Sequence, residues 1–175
     1  YKGGYELHGS VSVIANYLRT TWLWEKIRVQ GGAYGAFCAF DRHSGQFTYL
    51  SYRDPNLLDT LAHYDQTPAF LRNLDLSKDE LVKSIIGAIG RIDDYQLPDA
   101  KGYTSLLRHL IGDTAETRQR LREQVLGASP ADFRRFAKAL EYIAQRGRVV
   151  AMGSEEAIEK ANESRPGWLH VTKVL

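Results

Sequence analysis

Apolar residues recur at helical spacing from Val11 to Val29, where Ile14, Tyr17, Leu18, Trp22, Leu23, Trp24 and Ile27 make a wide, aromatic face. The pattern predicts one long helix, capped at its start by Ser10 and ended at Gly31 and Gly32, which supply the positive-φ exit common at helix C-termini. Trp22 and Trp24 read as packing on a sheet in preference to forming a partner surface. The period then changes. Ala33 to Phe40 and Phe47 to Tyr52 are aromatic-rich runs on either side of the turn cluster Asp41-Arg42-His43-Ser44-Gly45, which predicts a β-hairpin. Alternation puts Tyr34, Ala36, Cys38 and Phe40 on one face and Ala33, Gly35, Phe37 and Ala39 on the other. Neither face is clearly polar, so the hairpin lies between layers or lines a cavity. The small residues beside Tyr34 would let another backbone come close.

Downstream the pattern is helical. Asp54-Pro55-Asn56 predicts a helix with Asp54 as N-cap and Pro55 in the first position, running to about Leu71. Ser77-Lys78-Asp79-Glu80 has the spacing of a capping box and predicts a helix from about Lys78 to Asp94. Further helices are expected from Pro98 to near Gly112, from Asp113 or Thr114 to about Leu126, and from Ser129-Pro130 to near Arg146-Gly147. Arg148 to Met152 reads as a short strand, Ser154 caps a brief helix through Ala161, and Trp168 to Val171 reads as a last strand. That order predicts a single α+β domain over residues 1–175, with helices packed on a mainly antiparallel sheet. Four strands or fewer are few for so many helices, so the sheet is expected to lack its first strands, upstream of Tyr1. The opening Tyr1-Lys2-Gly3-Gly4-Tyr5 shows no element pattern. Tyr1 at the start, with Met152 the only methionine, reads as a piece of a longer polypeptide or a processed product.

Composition changes this picture little. With 43% hydrophobic and 25% charged residues the chain is of the soluble globular class, and a formal charge of +2 points neither to nucleic acid nor to a polyacidic tail. Cys38 is the sole cysteine, which excludes an internal disulfide framework and a zinc site of cysteine pairs. No run is apolar enough to span a membrane. His8, His43, His63, His109 and His170 are too far apart in sequence for a paired-histidine zinc motif. His43-Ser44-Gly45 is a hairpin turn and not a nucleophile elbow, and Gly31 to Gly35 lack the lysine of a phosphate loop. Asp93, Asp94 and Asp99 read as helix-end residues.

Three stretches carry a resemblance: Trp22 to Gly35 (WLWEKIRVQGGAYG), Ser51 to Leu57 (SYRDPNL) and Tyr95 to Tyr103 (YQLPDAKGY). Together they resemble the C-terminal domain of presequence proteases, zinc metallopeptidases of the pitrilysin and insulinase type. The likeness covers nearly the whole chain. It implies a pitrilysin-type domain of the metalloenzyme LuxS/MPP-like fold, the last of four homologous domains that enclose a chamber where short unstructured peptides are cut. The zinc ligands and catalytic glutamate belong to an inverted His-x-x-Glu-His motif in the first domain, absent here, so zinc is expected in the parent enzyme and the piece alone should be inactive. In that family an arginine and a tyrosine of the last domain reach the substrate at the zinc site. Their spacing falls on Arg28 and Tyr34. Tyr34 would donate a hydrogen bond to the oxyanion, and Arg28 would hold a substrate backbone carbonyl or a carboxylate. Read from the residues alone, Arg28 favours a helix dipole and Tyr34 packs on a strand.

Other classes stay open. A non-catalytic structural or partner-binding domain of the same fold is one. A nucleic-acid binder using Arg118, Arg120, Arg122, Arg134 and Arg135 is another, although Glu116, Glu123 and Asp132 make a solvated face the better reading. Expected partners are peptide substrates and the N-terminal domains of the parent, with no nucleic acid and no membrane. An open sheet edge would make the piece dimeric. The sequence does not decide the parent's place; the cytoplasm or, in a eukaryote, the mitochondrial matrix or chloroplast is the expectation.

Overall fold

The computed structural model describes residues 4–173, so Tyr1 to Gly3 of the patternless opening lie outside the described residues. The centre is α1 (Ser10–Thr20), whose Val11, Val13, Ile14, Tyr17 and Leu18 are buried on nearly every side. Of its residues only Ser12 and Thr20 are exposed, so the helix is enclosed by its neighbours. A hairpin of β1 (Gly35–Asp41) and β2 (Gln46–Tyr52) covers one side, and α3 (Lys78–Ile92), α5 (Ala115–Leu126) and α6 (Pro130–Arg146) pack on the others. The two strands are antiparallel, with Gly35 opposite Tyr52, Phe37 opposite Leu50 and Phe40 opposite Phe47. Ala36, Cys38 and Phe40 with Tyr49 and Phe47 form the inner face; Phe40 and Phe47 meet Phe136 of α6 edge-on at 6.4 and 5.5 Å. Phe37, Leu50 and Tyr52 lie exposed on the outer face. α2 (Leu57–Asn73) packs along α6, joined by an Arg72–Glu141 ion pair.

The chain is α+β, as its pattern predicts, and the starts of α3, α5, α6 and α7 are where local chemistry puts them. Ser77 and Glu80 form the reciprocal capping box of α3. Thr114 caps α5, Ser129 and Asp132 form a second capping box on α6, and Ser154 caps α7 (Glu155–Ser164). α4 (Pro98–Leu110) starts at its proline and buries none of its residues.

Four expectations are corrected. The long helix is interrupted at Thr21, whose φ and ψ are −126° and −84°, and resumes as a π-helix over Trp24–Gln30. The Thr20 and Thr21 hydroxyls donate to the carbonyls of Asn16 (3.0 Å) and Tyr17 (2.6 Å), competing with the helical ladder there. Ser10 is not the N-cap: that place is Gly9, whose N–H donates to Gln124 Oε1 at 2.8 Å, while Ser10 Oγ pairs with His8 Nδ1. Asp54 does not cap α2 either. The N-cap is Asn56, and Asp54 accepts from its N–H (2.9 Å) and from Thr60 Oγ1 (2.6 Å) one turn on.

Lastly, residues 148–152 and 168–171 form no strand; among the described residues the sheet has two strands. A β-branched run becomes a strand only beside a neighbour that completes the ladder. Val150 and Met152 stand in solvent, and Leu169 instead exchanges both its backbone hydrogen bonds with the Asn162 side chain, at 2.8 and 3.0 Å. Among the described residues no helix is long and apolar enough to cross a membrane.

Candidate functional site

The π-helix and the hairpin are joined by a turn that two glycines shape. Gly32 has φ +75°, the left-handed conformation a side chain resists; its N–H donates to Arg28 O (3.0 Å) and the Ala33 N–H to Ile27 O (3.1 Å). Gly31 is needed for another reason. It has ordinary φ, but a Cβ there would meet the Ile27 carbonyl oxygen at 2.6 Å. The expectation that both glycines supply positive φ therefore holds for Gly32 only. Asn56 Nδ2 donates a hydrogen bond to Gly31 O, and Pro55 Cγ lies 3.9 Å from where a Gly32 Cβ would be. The Asp54-Pro55-Asn56 stretch thus ties the start of α2 to the glycine turn, besides starting a helix.

Arg28 sits in the last turn of the π-helix, a form frequent at functional sites. Its guanidinium lies 3.9 Å from the Trp24 ring centroid. Trp24 is therefore an exposed platform and not the sheet-packing residue expected from the sequence. Trp22 is the packed one: it stacks on Phe70 of α2 at 4.4 Å and donates from Nε1 to Thr67 Oγ1 at 3.1 Å.

Tyr34 stands just before β1, outside the strand alternation, and is 66% exposed while Ala33 and Gly35 on either side are buried. Its ring meets Tyr52 edge to face at 5.9 Å, and its N–H is shared by the carbonyls of Tyr52 (3.1 Å) and Arg53 (3.3 Å). Arg53 places its guanidinium 5.4 Å from the Tyr52 ring and 5.9 Å from the Tyr34 ring. Its φ of +48° is the sole positive value on a non-glycine among the described residues, a conformation that costs about 1–2 kcal/mol. Neither Arg28 nor Arg53 takes part in an ion pair among the described residues. Arg28 with Trp24, and Arg53 with Tyr34 and Tyr52, thus set two arginines and three exposed aromatic rings on either side of the glycine turn, able to donate hydrogen bonds to oxygen. A cleft of about 1280 Å³ begins beside it, at Gly32 and Arg53, and runs along β2 to residues 147–153.

The remaining candidates carry structure. Cys38 is buried and donates to Ala15 O at 3.5 Å, and burial pushes its thiol up to about 12, which leaves it inert at neutral pH. Asp41 accepts from the backbone N–H groups of His43 and Ser44 and from the Ser44 hydroxyl, so that serine closes the hairpin turn. Asp93 ends α3 and pairs with Arg122; Arg118 is bound to the Asp113 carbonyl and Arg135 to Asp132 at 2.6 Å, so three of the five arginines weighed for nucleic acid are engaged within the fold. Among the described residues no three His, Cys, Asp or Glu side chains are close enough to hold a metal ion.

Sequence reasoning missed Arg53 and the tie made by Asn56. Both lie in the Ser51 to Leu57 stretch, whose likeness to the family was the available signal.

The family described as PreP C-terminal domain matches residues 1–155, and the chain belongs to it. It is 56% identical over its whole length to presequence protease 1, chloroplastic/mitochondrial, of Arabidopsis thaliana, of which it covers 16%. It is 33% identical over 157 residues, 90% of this chain and 16% of the relative, to the protein HypA of Clostridium perfringens. The mitochondrial presequence protease of Aspergillus oryzae is 32% identical over 146 residues, 83% of this chain and 14% of the relative. The chain thus spans about one sixth of the length of the curated relatives it matches.

Proposed function

We propose that residues 1–175 are one domain, the C-terminal, substrate-contacting domain of a parent zinc metalloendopeptidase that degrades short unstructured peptides of the presequence type inside a closed chamber. The supporting observation is an exposed Tyr34 and an Arg28 that has no carboxylate partner among the described residues, one glycine turn apart, in a chain of this family. The pitrilysin-type, LuxS/MPP-like fold is part of the same reading. In this reading zinc is held by another part of the parent, and the isolated chain is inactive.

Mechanism follows from the two side chains. Hydrolysis turns the planar scissile carbonyl into a tetrahedral centre bearing an oxyanion. The Tyr34 hydroxyl donates to that oxygen more strongly as its charge grows, which lowers the barrier. Arg28, its guanidinium stacked on Trp24, donates from its edge to a neighbouring backbone carbonyl or carboxylate and keeps the peptide in register. The organellar names of the Arabidopsis and Aspergillus proteins support a mitochondrial or chloroplast location in a eukaryote.

The test is peptide cleavage by the full-length parent carrying Arg28→Ala or Tyr34→Phe, against the same enzyme unaltered. Loss of turnover with folding intact supports the reading; unchanged turnover rejects it. A second reading, a non-catalytic partner-binding domain, draws on α4, where Leu97, Tyr103, Leu106 and Leu110 are all exposed.

A further inference from the structure

We propose that Arg53 is a positioning residue for Tyr34, holding that side chain in place through both its backbone and its guanidinium. The kinetic part rests on the functional reading above; the positional part does not.

The argument begins with the backbone. Along an extended strand, successive carbonyls point to opposite sides, so two adjacent ones cannot both reach a single N–H. Tyr52 and Arg53 do so, at 3.1 and 3.3 Å from the Tyr34 nitrogen. The left-handed Arg53, φ +48°, is where the strand leaves the extended form and lets the second carbonyl swing back. An asparagine or glycine would adopt this conformation with less strain. An arginine is kept there against its backbone preference, and strain of this kind persists where the surroundings hold it.

The side chain supplies a reason. With its guanidinium 5.9 Å from the Tyr34 ring centroid and 5.4 Å from that of Tyr52, Arg53 adds a cation shared by both rings of an exposed edge-to-face pair. The neighbouring carboxylate does not draw it away. Asp54 is committed to the Asn56 N–H and the Thr60 hydroxyl, and Arg53 has no ion pair among the described residues. Tyr34 has Ala33 and Gly35 as chain neighbours, which offer its ring no lateral support. Tyr52 supplies the ring and Arg53 the cation that face it.

The experiment uses the full-length parent with 3-fluorotyrosine at position 34, comparing Arg53 with Arg53→Gly and Arg53→Lys. Glycine keeps the left-handed backbone and removes the guanidinium; lysine keeps the charge without the planar fork. The fluorine resonance is expected to shift and broaden in Arg53→Gly and to move part of the way back in Arg53→Lys, with the melting temperature of Arg53→Gly unchanged or raised. A resonance that does not move overturns the proposal. In turnover, Arg53→Gly is expected to lower kcat about tenfold at unchanged KM, and to add less than a twofold loss when Tyr34 is already phenylalanine. An equal loss in both backgrounds shows that Arg53 does not act through Tyr34 and also overturns the proposal. If Tyr34→Phe leaves turnover unchanged while the fluorine signal still responds to Arg53, the functional reading fails and the positional claim survives.

Discussion

Gly31 and Gly32 stand side by side, and the structure requires each for a different physical reason, which substitutions can separate. At Gly32 an added Cβ meets nothing closer than Pro55 Cγ at 3.9 Å, so Gly32→Ala is opposed only by its φ of +75°. That conformation costs an L-residue about 1–2 kcal/mol, offset by about 0.4–1 kcal/mol because alanine narrows the unfolded ensemble. The net loss is about 0.5–1.5 kcal/mol, a fall of roughly 1–6 °C in melting temperature for a chain of this size. Asparagine tolerates the left-handed region, so Gly32→Asn should recover most of the loss. At Gly31 the Cβ would lie 2.6 Å from the Ile27 carbonyl oxygen, a backbone atom that cannot swing aside. Gly31→Ala and Gly31→Asn should therefore both destabilise, by about 1–3 kcal/mol as for other overpacked sites, with no rescue by asparagine. Thermal unfolding of the four variants by circular dichroism reads the contrast. Equal losses for Gly32→Ala and Gly32→Asn, or recovery in Gly31→Asn, would refute the assignment of strain to one glycine and clash to the other.

Two further outcomes follow from the core and the caps. Burial raises the Cys38 thiol from about 8.5 to about 12, so the folded state keeps its proton while the unfolded state loses it. Stability is then full below pH 8.5 and falls between there and 12, by up to about 1.4 kcal/mol per pH unit from this group. Cys38→Ala should flatten the slope of stability against pH between 9 and 10, below the range of the Tyr49 and Tyr64 phenols, which burial also raises; an identical slope would contradict it. Ser77→Ala opens the α3 capping box and should cost about 1 kcal/mol by denaturant titration. The Ser77 hydrogen bonds hold the Glu80 carboxyl below its usual value, so that support is present above about pH 4.3 and lost as pH falls through the lowered value; a cost unchanged at pH 3 would count against the cap.

The starts of α3, α5 and α6 were legible because their chemistry is local: Ser77 with Glu80, Ser129 with Asp132 and Thr114 each carry the cap within four residues. What depends on distant partners was not. The π-helix follows the Thr21 break and ends on a glycine turn braced by Asn56, 25 residues away. Residues 148–152 have strand composition but no strand to pair with among the described residues, and Trp24, placed by periodicity in the core, lies outward in a stack with Arg28. Arg28 and Tyr34 came from likeness to a family, since periodicity gives equal standing to a helix-dipole arginine and a strand tyrosine. Arg53 had no periodic signal, because a left-handed arginine is visible only in the backbone.

The most direct measurement is the split between kcat and KM for Tyr34→Phe in the full-length parent, cutting an unstructured peptide with zinc content and folding verified. A hydroxyl that acts on the oxyanion alone predicts that kcat and kcat/KM fall together, by about ten- to a thousandfold, with KM unchanged. A rise in KM at constant kcat would make Tyr34 a ground-state contact, and no change in either would make it scaffold; both results contradict the account.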